Sequence, residues 1–527
     1  MEETILRVRR WLRNPVVLLA LAAGLLAFAV QSGEVGTADT QHRLQSAHAF
    51  WTGEAEVLPG EYPEFGVHGR GGKIQSWYGI GQSLLLLPAD VVGTYLEKLP
   101  VFAAYNGSDP GVRMMFVSTS VSIFLTVLTA LVSFRFLRQL RFTEAQAVGG
   151  TLALLALTTH LHYTQNLMEN NYIFLLTLIG VSWQYQWVET GSKRALMAGA
   201  AAVGLNLLTR LTTGLDLLGV VAFVVLALVL QGELGRRLWV RAKTYLLVAA
   251  PVYFGFLLLD RLYQFYRFGS FTNTYVSLVA AEARERDPSL PLSYPFTTPF
   301  WEGFRGAFLA PQKSIFLFDP LLILTVMLVW LCWRQMNAAV RAYVVAMGLL
   351  LLAYISFYAR YFSWAGDFAW GDRYVSTTVE LVVLVTVPLL MQFGAELGRV
   401  VRWAGAGILA ASGVVQAASL AFWLPLEIYQ RETLVDRTNV IGLRLENIVG
   451  FALGKWDAWG LRTVAMTQDS WDYEHLTSWN LLPFQLQHAG QAPEWVVVLS
   501  FAIWGASLLG LGWVLWRLRR ELAGAAA

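Results

Sequence analysis

The sequence predicts an all-α polytopic membrane protein, built as a bundle of about twelve transmembrane helices with one further segment at the membrane surface. Of the 527 residues, 56% are hydrophobic and 14% are charged, and the mean hydropathy is +0.49. So much apolar surface cannot be buried inside one soluble core of this length. The distribution of basic residues then indicates which apolar stretches cross the membrane.

Twelve stretches have membrane length, because a hydrocarbon layer about 30 Å thick requires roughly 20 apolar residues in a helix. The predicted crossings are 15–31, 112–134, 146–164, 170–188, 195–213, 216–231, 243–265, 316–333, 340–358, 375–393, 403–423 and 494–516. The first lacks a small-residue cleavage site and is too long for a signal peptide, so we expect it to be retained. The single cysteine, Cys332, excludes a disulfide within the chain.

Basic residues define the orientation, because they hold short loops on the cytoplasmic side. With twelve crossings, both tails and all the short basic turns lie on one side, where they hold 20 of the 39 basic residues but only 7 of the 36 acidic ones. If 79–97 also crossed, every later basic turn would lie outside. We therefore predict that 79–97 is interfacial or re-entrant and that both termini are cytoplasmic. The expected location is the plasma (inner) membrane.

Most of the polar residues fall on the outer, periplasmic face. A membrane module over 1–423 carries outer loops at 32–78, 266–315 and 359–374, a cap region rich in tryptophan spans 424–493, and 494–527 forms the last helix and a basic tail. The inner loops are short and contain no glycine-rich phosphate-binding loop. The net charge of +3 reflects membrane topology, so nucleic acid is not a predicted partner.

An acidic residue stands at the start of an amphipathic segment in the first outer loop. Asp39 is followed one turn later by His42, and Leu44, Ala47 and Phe50 share one helical face. This pattern is typical of a short helix on the lipid surface. An ionised carboxylate there is suited to act as a general base on an acceptor hydroxyl. The alternative is a purely structural N-cap, a position at which aspartate is favoured.

The next outer segment combines glycines, aromatic rings and a proline. It runs from Gly72 through Trp77 and Tyr78 to Pro88, which interrupts an apolar run before it reaches membrane length. Irregular backbone at that depth survives only where protein buries it or where it lines a wet cavity. The segment is therefore interpreted as the floor of a cavity.

Five short motifs follow one another on the predicted outer face. They are Asp39, 73–88 (KIQSWYGIGQSLLLLP), 208–210 (LTR), 268–270 (FGS) with 310–321 (APQKSIFLFDPL), and 364–374 (WAGDFAWGDRY). In this order they resemble the bacterial branch of the GT-C glycosyltransferases, membrane enzymes that depend on polyprenyl-phosphate sugars and are related to protein mannosyltransferases and to the lipid A aminoarabinose transferase. The resemblance covers roughly residues 15–395. The family usually reads Gly-Pro-Arg-Tyr where this chain has Gly371-Asp372-Arg373-Tyr374, which leaves the geometry of that loop open.

The resemblance implies a glycosyltransferase that moves a sugar from a polyprenyl-phosphate carrier to a cell-envelope acceptor, whether lipid, glycan or protein, at the outer face. It implies Asp39 as the catalytic base. Arginine is the preferred partner for the charge that develops on a leaving lipid phosphate. The candidate phosphate-binding residues are Arg373, Arg210, Lys313 and Arg360. The structural alternatives are snorkelling for Arg373, pairing with Asp216 for Arg210, and ordinary loop charges for the other two.

Six further residues are candidates for substrate binding. They are His42, Lys73, Tyr78, Trp364, Trp370 and Glu169, the tryptophans because a flat apolar ring suits the C–H face of a sugar. A second acidic residue is sought among Glu64, Glu169 and Asp372. No cofactor is assigned, and a divalent cation held by His160, His162 and Glu169 stays an open alternative, although histidines two apart on a helix point to different faces.

Two other functions are compatible with the sequence. A transporter or flippase of lipid-linked or polar substrates requires ionisable groups near the middle of the membrane, whereas Arg210, Asp216 and Asp260 are predicted near outer ends of spans. A structural subunit with the same fold and no catalytic activity is the third interpretation.

Overall fold

The computed structural model describes residues 13–58, 60, 65–105, 110–367, 369–423, 426, 430, 434, 439–461 and 478–526. Within these ranges the regular structure is helical apart from one antiparallel hairpin of strands β1 (Gly66–His68) and β2 (Ile74–Ser76). The predicted all-α architecture is thereby confirmed.

Among the described residues, the first half of the chain contains ten helices. They are α1 (Pro15–Ala29), α2 (Ala38–Thr52), α3 (Ile80–Glu97), α4 (Val112–Gln139), α5 (Glu144–Leu157), α6 (His160–Asn166), α7 (Glu169–Thr190), α8 (Lys193–Leu207), α9 (Gly214–Leu230) and α10 (Arg236–Phe268). Short 3-10 turns cover Arg70–Gly72, Pro100–Tyr105 and Leu211–Thr213.

The second half continues with shorter helices between long apolar ones. They are α11 (Tyr275–Arg286), α12 (Phe300–Leu309), α13 (Ile315–Phe318), α14 (Leu321–Cys332), α15 (Ala338–Tyr358), α16 (Ser376–Val383), α17 (Thr386–Phe393), α18 (Gly398–Ser419), α19 (Val440–Ala452), α20 (Leu482–Ala489) and α21 (Glu494–Ala526).

The protein is an integral, multi-pass membrane protein. Seven helices among the described residues are long and apolar enough to cross a membrane, and α1, α5 and α14 are shorter apolar helices that coincide with further predicted spans. Helix α3, which covers the segment predicted to be interfacial or re-entrant, is not among those seven. It packs between α2 and α4.

Two predicted spans are interrupted within the bundle. The span 146–164 divides at Thr158, which has extended backbone, and 316–333 divides at Asp319 and Pro320. The two interruptions contact each other, because the backbone N–H and the hydroxyl of Thr159 donate to the Asp319 carboxylate at 2.8 and 3.1 Å. Backbone donors freed by the break are thus satisfied inside the protein, as burial in a membrane requires.

The main core lies where α4, α7, α9 and α15 meet. Aromatic rings interlock there, with Phe136 and Phe223 each packed against Tyr343 at ring distances of 5.0 and 5.6 Å. The described part of the predicted cap region forms a separate small core around Phe422, Leu443 and Trp456. Within that region Trp471 lies outside the described residues.

Candidate active site

Helix α2 places Asp39 in its first turn. The N-cap is Thr37, whose hydroxyl accepts from the Thr40 backbone N–H, so the alternative that Asp39 itself caps the helix is wrong. A carboxylate in the first turn of a helix is favoured by the helix dipole. The predicted helix therefore forms, and it leaves the Asp39 side chain free for tertiary contacts.

Two groups hold the Asp39 carboxylate. Arg373 Nη1 donates to Oδ2 at 2.8 Å, and the Tyr78 hydroxyl donates to Oδ1 at 2.6 Å. Burial by itself raises the pKa of Asp39, but the charges of Arg373 and Arg43 and the Tyr78 hydrogen bond outweigh burial and hold that pKa well below its usual range. The carboxylate is therefore ionised at every physiological pH.

A second buried ion pair stands beside the first. Glu169, the first residue of α7, accepts from Arg43 Nη1 at 2.7 Å and also from Arg210. Leu167, just before α7, has a positive φ of 43°, which a leucine rarely adopts. Its carbonyl accepts from the Gln82 side chain at 2.9 Å, so this bend ties the start of α7 to α3 and orients Glu169 towards both arginines.

Two of the predicted motifs contact each other at glycines. Gly81 N donates to Leu208 O at 2.9 Å, and a Cβ on Gly81 would lie 2.1 Å from Thr209 Oγ1. Only glycine permits so close an approach of two backbones. The contact places Tyr78, just before this turn, and Arg210, just after the facing one, on the same cavity.

The loop that carries Arg373 is fixed from behind by a buried lysine. Lys313 Nζ donates to the carbonyls of Ala369 and Gly371 at 2.6 and 3.0 Å. Gly366 has a φ of 75°, and a Cβ there would lie 2.7 Å from Arg373 Cγ. These contacts leave the guanidinium of Arg373 facing Asp39, with a further contact to Asp367 Oδ2 at 3.1 Å.

These groups surround a cavity of about 120 Å³. Its charged lining residues are Asp39, Arg43, Arg210, Arg373 and Asp260. Aromatic rings form much of the remaining wall, with Tyr358 and Tyr374 stacked at 4.2 Å. The guanidiniums of Arg373 and Arg210 lie 5.2 and 5.5 Å from the same Tyr374 ring. Within this lining, the two arginines beside Tyr374 share the cavity with the ionised carboxylate of Asp39.

Four of the predicted site residues, Asp39, Arg373, Arg210 and Tyr78, line this cavity, and Glu169 lies directly behind it. The structural alternative for Arg210 required an ion pair with Asp216. That pair is not formed, and the Asp216 carboxylate instead accepts hydrogen bonds from Tyr354 and Thr177.

The other predicted site residues lie outside the cavity lining. Lys313 is buried beneath the Arg373 loop, and Arg360 lines a neighbouring groove. His42 is buried and stacks on Phe65 at 3.9 Å, while Lys73 is exposed. The two tryptophans are packed in protein, since Trp364 lies against Gly306 and Trp370 lies edge-on to Phe318 at 5.0 Å.

The residues considered for a divalent cation do not converge. His160 Nδ1 lies 3.1 Å from Glu380 Oε2, the His162 ring faces Asn166, and Glu169 is taken by two arginines. Among the described residues no group of three His, Cys, Asp or Glu side chains is placed to hold a metal ion. Glu64, one candidate for a second acid, lies outside the described residues.

Arg43 and Tyr275 are site residues that the sequence interpretation did not select. Arg43 follows Asp39 by four positions, the spacing that brings side chains to one face of a helix, so the pattern contained a signal for it. Tyr275 begins α11 and stacks over Tyr78 with ring centres 6.5 Å apart. No local pattern distinguishes it from other loop tyrosines.

Comparison with known proteins gives distant structural similarity. No protein-family model and no curated protein matches the chain. It is similar to ArnT from Cupriavidus metallidurans bound to undecaprenyl phosphate, with 16% identity over 97% of this chain and 77% of that one and a TM-score of 0.41. It is also similar to the archaeal oligosaccharyltransferase AglB from Archaeoglobus fulgidus in complex with an inhibitory peptide and a dolichol-phosphate, with 13% identity, 81% of this chain, 58% of that one and a TM-score of 0.47.

Both TM-scores are below 0.5, so the chemistry of this chain is inferred from its own residues.

Proposed function

We propose that the protein is a glycosyltransferase that moves a sugar from a polyprenyl-phosphate carrier to an acceptor hydroxyl at the outer face of the membrane. The observation that carries this proposal is the Asp39–Arg373 ion pair inside a cavity that Arg210 also lines. One carboxylate can deprotonate an acceptor hydroxyl while two cations stabilise a phosphate leaving group.

The two arginines are suited to the donor phosphate. Their guanidiniums flank one tyrosine ring, and arginine forms paired hydrogen bonds with phosphate oxygens that lysine cannot reproduce. The side chains of Arg373 and Asp39 are only 15% and 20% exposed. Water screens their charges weakly, so an incoming phosphate competes directly with Asp39 for Arg373.

This competition couples donor binding to activation of the base. While Arg373 holds Asp39, the pKa of the carboxyl is too low for it to accept a proton readily. When the phosphate takes over Arg373, that pKa rises and the carboxylate becomes a stronger base. Tyr78 continues to orient it, because burial and the Asp39 charge raise the pKa of the tyrosine well above its ordinary value and keep its hydroxyl protonated.

The transfer step forms one bond and breaks another. The acceptor hydroxyl loses its proton to Asp39, and its oxygen forms a bond to the anomeric carbon of the sugar. The bond from that carbon to the phosphate oxygen breaks, and the electron pair leaves with the polyprenyl phosphate. Arg373 and Arg210 stabilise the second negative charge that the phosphate gains.

The test is transfer by the purified protein from polyprenyl-phosphate sugars to a mixture of cell-envelope lipids and glycans. Replacing Asp39 by Asn keeps the shape of the side chain and removes the base, so the rate should fall by about 10² to 10⁴. Asp260→Asn is the matched control, because this second carboxylate of the cavity pairs with Arg261 and not with Arg373. Equal rates for wild type and Asp39→Asn would end the proposal.

A further inference from the structure

A second, larger groove adjoins the cavity on the outer side. Its volume is about 610 Å³, and it lies between α11, the loop at 291–296 and the end of α15. The groove and the cavity share four lining residues, which are Thr274, Val276, Phe296 and Phe357. A molecule bound in the groove therefore adjoins the cavity that Asp39 lines. The loops around the groove are predicted to lie on the outer side of the membrane.

The charge of the groove is entirely positive. Arg284 and Arg360 are its only charged lining residues, and no acidic side chain lines it within the described part of the chain. Arg284 Nη1 donates to Leu292 O at 3.1 Å, which fixes the side chain along the groove wall. The backbone at Arg360 is fixed as well, since Thr298 N donates to its carbonyl at 3.1 Å. Two arginines in a groove whose described lining has no acidic side chain form a site for an anion.

The rest of the groove wall combines aromatic rings with aliphatic side chains and the hydroxyls of Thr274, Ser277 and Ser293. Tyr294, Phe296 and Phe357 contribute rings, and Phe296 meets Phe357 edge-on at 5.9 Å. Such rings offer flat apolar faces to the C–H groups of a sugar, while arginine binds a planar carboxylate with two parallel hydrogen bonds. Together the two kinds of side chain match a saccharide that carries carboxylate groups.

We propose that this groove is the acceptor site and that the acceptor is an acidic glycan whose carboxylates bind Arg284 and Arg360. The use of the bound glycan as an acceptor rests on the proposed glycosyl transfer. Binding itself does not, because neither arginine lines the cavity that holds Asp39. An experiment can therefore reject glycan binding in the groove without rejecting sugar transfer at Asp39, and the reverse.

The experiment measures binding of trigalacturonate to the full chain in detergent by isothermal titration calorimetry. Maltotriose is the neutral saccharide for comparison, and dihexanoylphosphatidate is the anionic lipid. Trigalacturonate should bind, and Arg284→Gln or Arg360→Gln should each weaken binding about tenfold or more, the usual consequence of losing a hydrogen bond between charged partners. Arg360→Lys should recover part of the loss, since it keeps the charge and loses the paired geometry.

Arg286→Gln is the matched control, because this exposed arginine lies on the same helix and does not line the groove. It should leave binding unchanged. The proposal is overturned if trigalacturonate binds no better than maltotriose, if Arg286→Gln weakens it as much as Arg360→Gln does, or if only phosphatidate depends on the two arginines. If binding depends on the two arginines but no sugar is transferred, the groove is supported as a site for acidic glycans and the proposed transfer chemistry is rejected.

Discussion

Replacing Arg373 by glutamine separates the two roles assigned to this residue, which are binding the donor phosphate and restraining Asp39. Glutamine retains a hydrogen-bond donor but removes the charge. The substitution removes the hydrogen bonds from the guanidinium to Asp39 at 2.8 Å and to Asp367 at 3.1 Å. The hydrogen bond from the Asn170 side chain to the carbonyl of residue 373 is retained, so the loop should keep its position.

The expected magnitude follows from the charge and the burial of the pair. A hydrogen bond to a charged partner contributes about 1.5 to 3 kcal/mol, and the guanidinium is only 15% exposed, so screening reduces this little. If the transition state loses that energy, kcat/KM should fall by about 10- to 150-fold.

The pH profile supplies the second readout. In the free wild-type protein Asp39 is ionised throughout, so kcat/KM should be flat down to about pH 5. In Arg373→Gln, burial raises the pKa of Asp39 and the charge of Arg373 no longer opposes it. A base is lost as pH falls through its pKa, so the acid limb of the variant should move upward in pH.

The assay is initial-rate sugar transfer from a polyprenyl-phosphate donor between about pH 4.5 and pH 9, a range that spans the expected acid limb. A rate for Arg373→Gln within threefold of wild type would contradict the role of Arg373 in binding the phosphate. An acid limb that stays in place while the rate falls would contradict its effect on the pKa of Asp39. Arg305→Gln, which changes an exposed arginine on α12, is the control for loss of a positive charge.

Three further results are expected. Glu169→Gln leaves two buried guanidiniums without their carboxylate and should destabilise the protein by about 3 to 5 kcal/mol in thermal unfolding, whereas Glu189→Gln, in an exposed pair, should cost under about 1 kcal/mol. Gly81→Ala should lower both stability and transfer, because its Cβ would overlap the facing turn, while Gly348→Ala, with open space around it, should be tolerated. In wild type, the acid limb of kcat should lie at higher pH than that of kcat/KM, since bound phosphate draws Arg373 away from Asp39 and raises its pKa; coincident limbs would contradict this coupling.

The sequence predicts the class of fold and the identity of several site residues. Apolar length and basic turns give a multi-pass helical protein, and the motif order places Asp39 and Arg373 on one face. Their direct contact joins residues 334 positions apart. Arg43, four positions after Asp39, was readable from helical periodicity.

The remaining geometry depends on features without a local signature. Leucine rarely takes the left-handed backbone found at Leu167, and only tertiary contacts to its carbonyl maintain that bend. From sequence, Lys313 is an ordinary loop cation. In the structure it is buried, and its ammonium group donates to two backbone carbonyls. The sequence predicts sugar stacking for Trp370, but its ring is buried among neighbouring helices. Burial of such side chains is decided by the packing of distant helices.

In the proposed mechanism, a lipid phosphate takes Arg373 from Asp39 and thereby activates the carboxylate. Difference infrared spectroscopy of the carboxyl stretch, with Asp39→Asn as the reference that identifies the band, measures the pKa of Asp39 directly. With a short-chain polyprenyl phosphate bound, that pKa should be higher than in the free protein, and Arg373→Gln should show the raised value with or without the lipid. The same pKa of Asp39 in the free and the lipid-bound wild-type protein would contradict this activation of the carboxylate by the lipid phosphate.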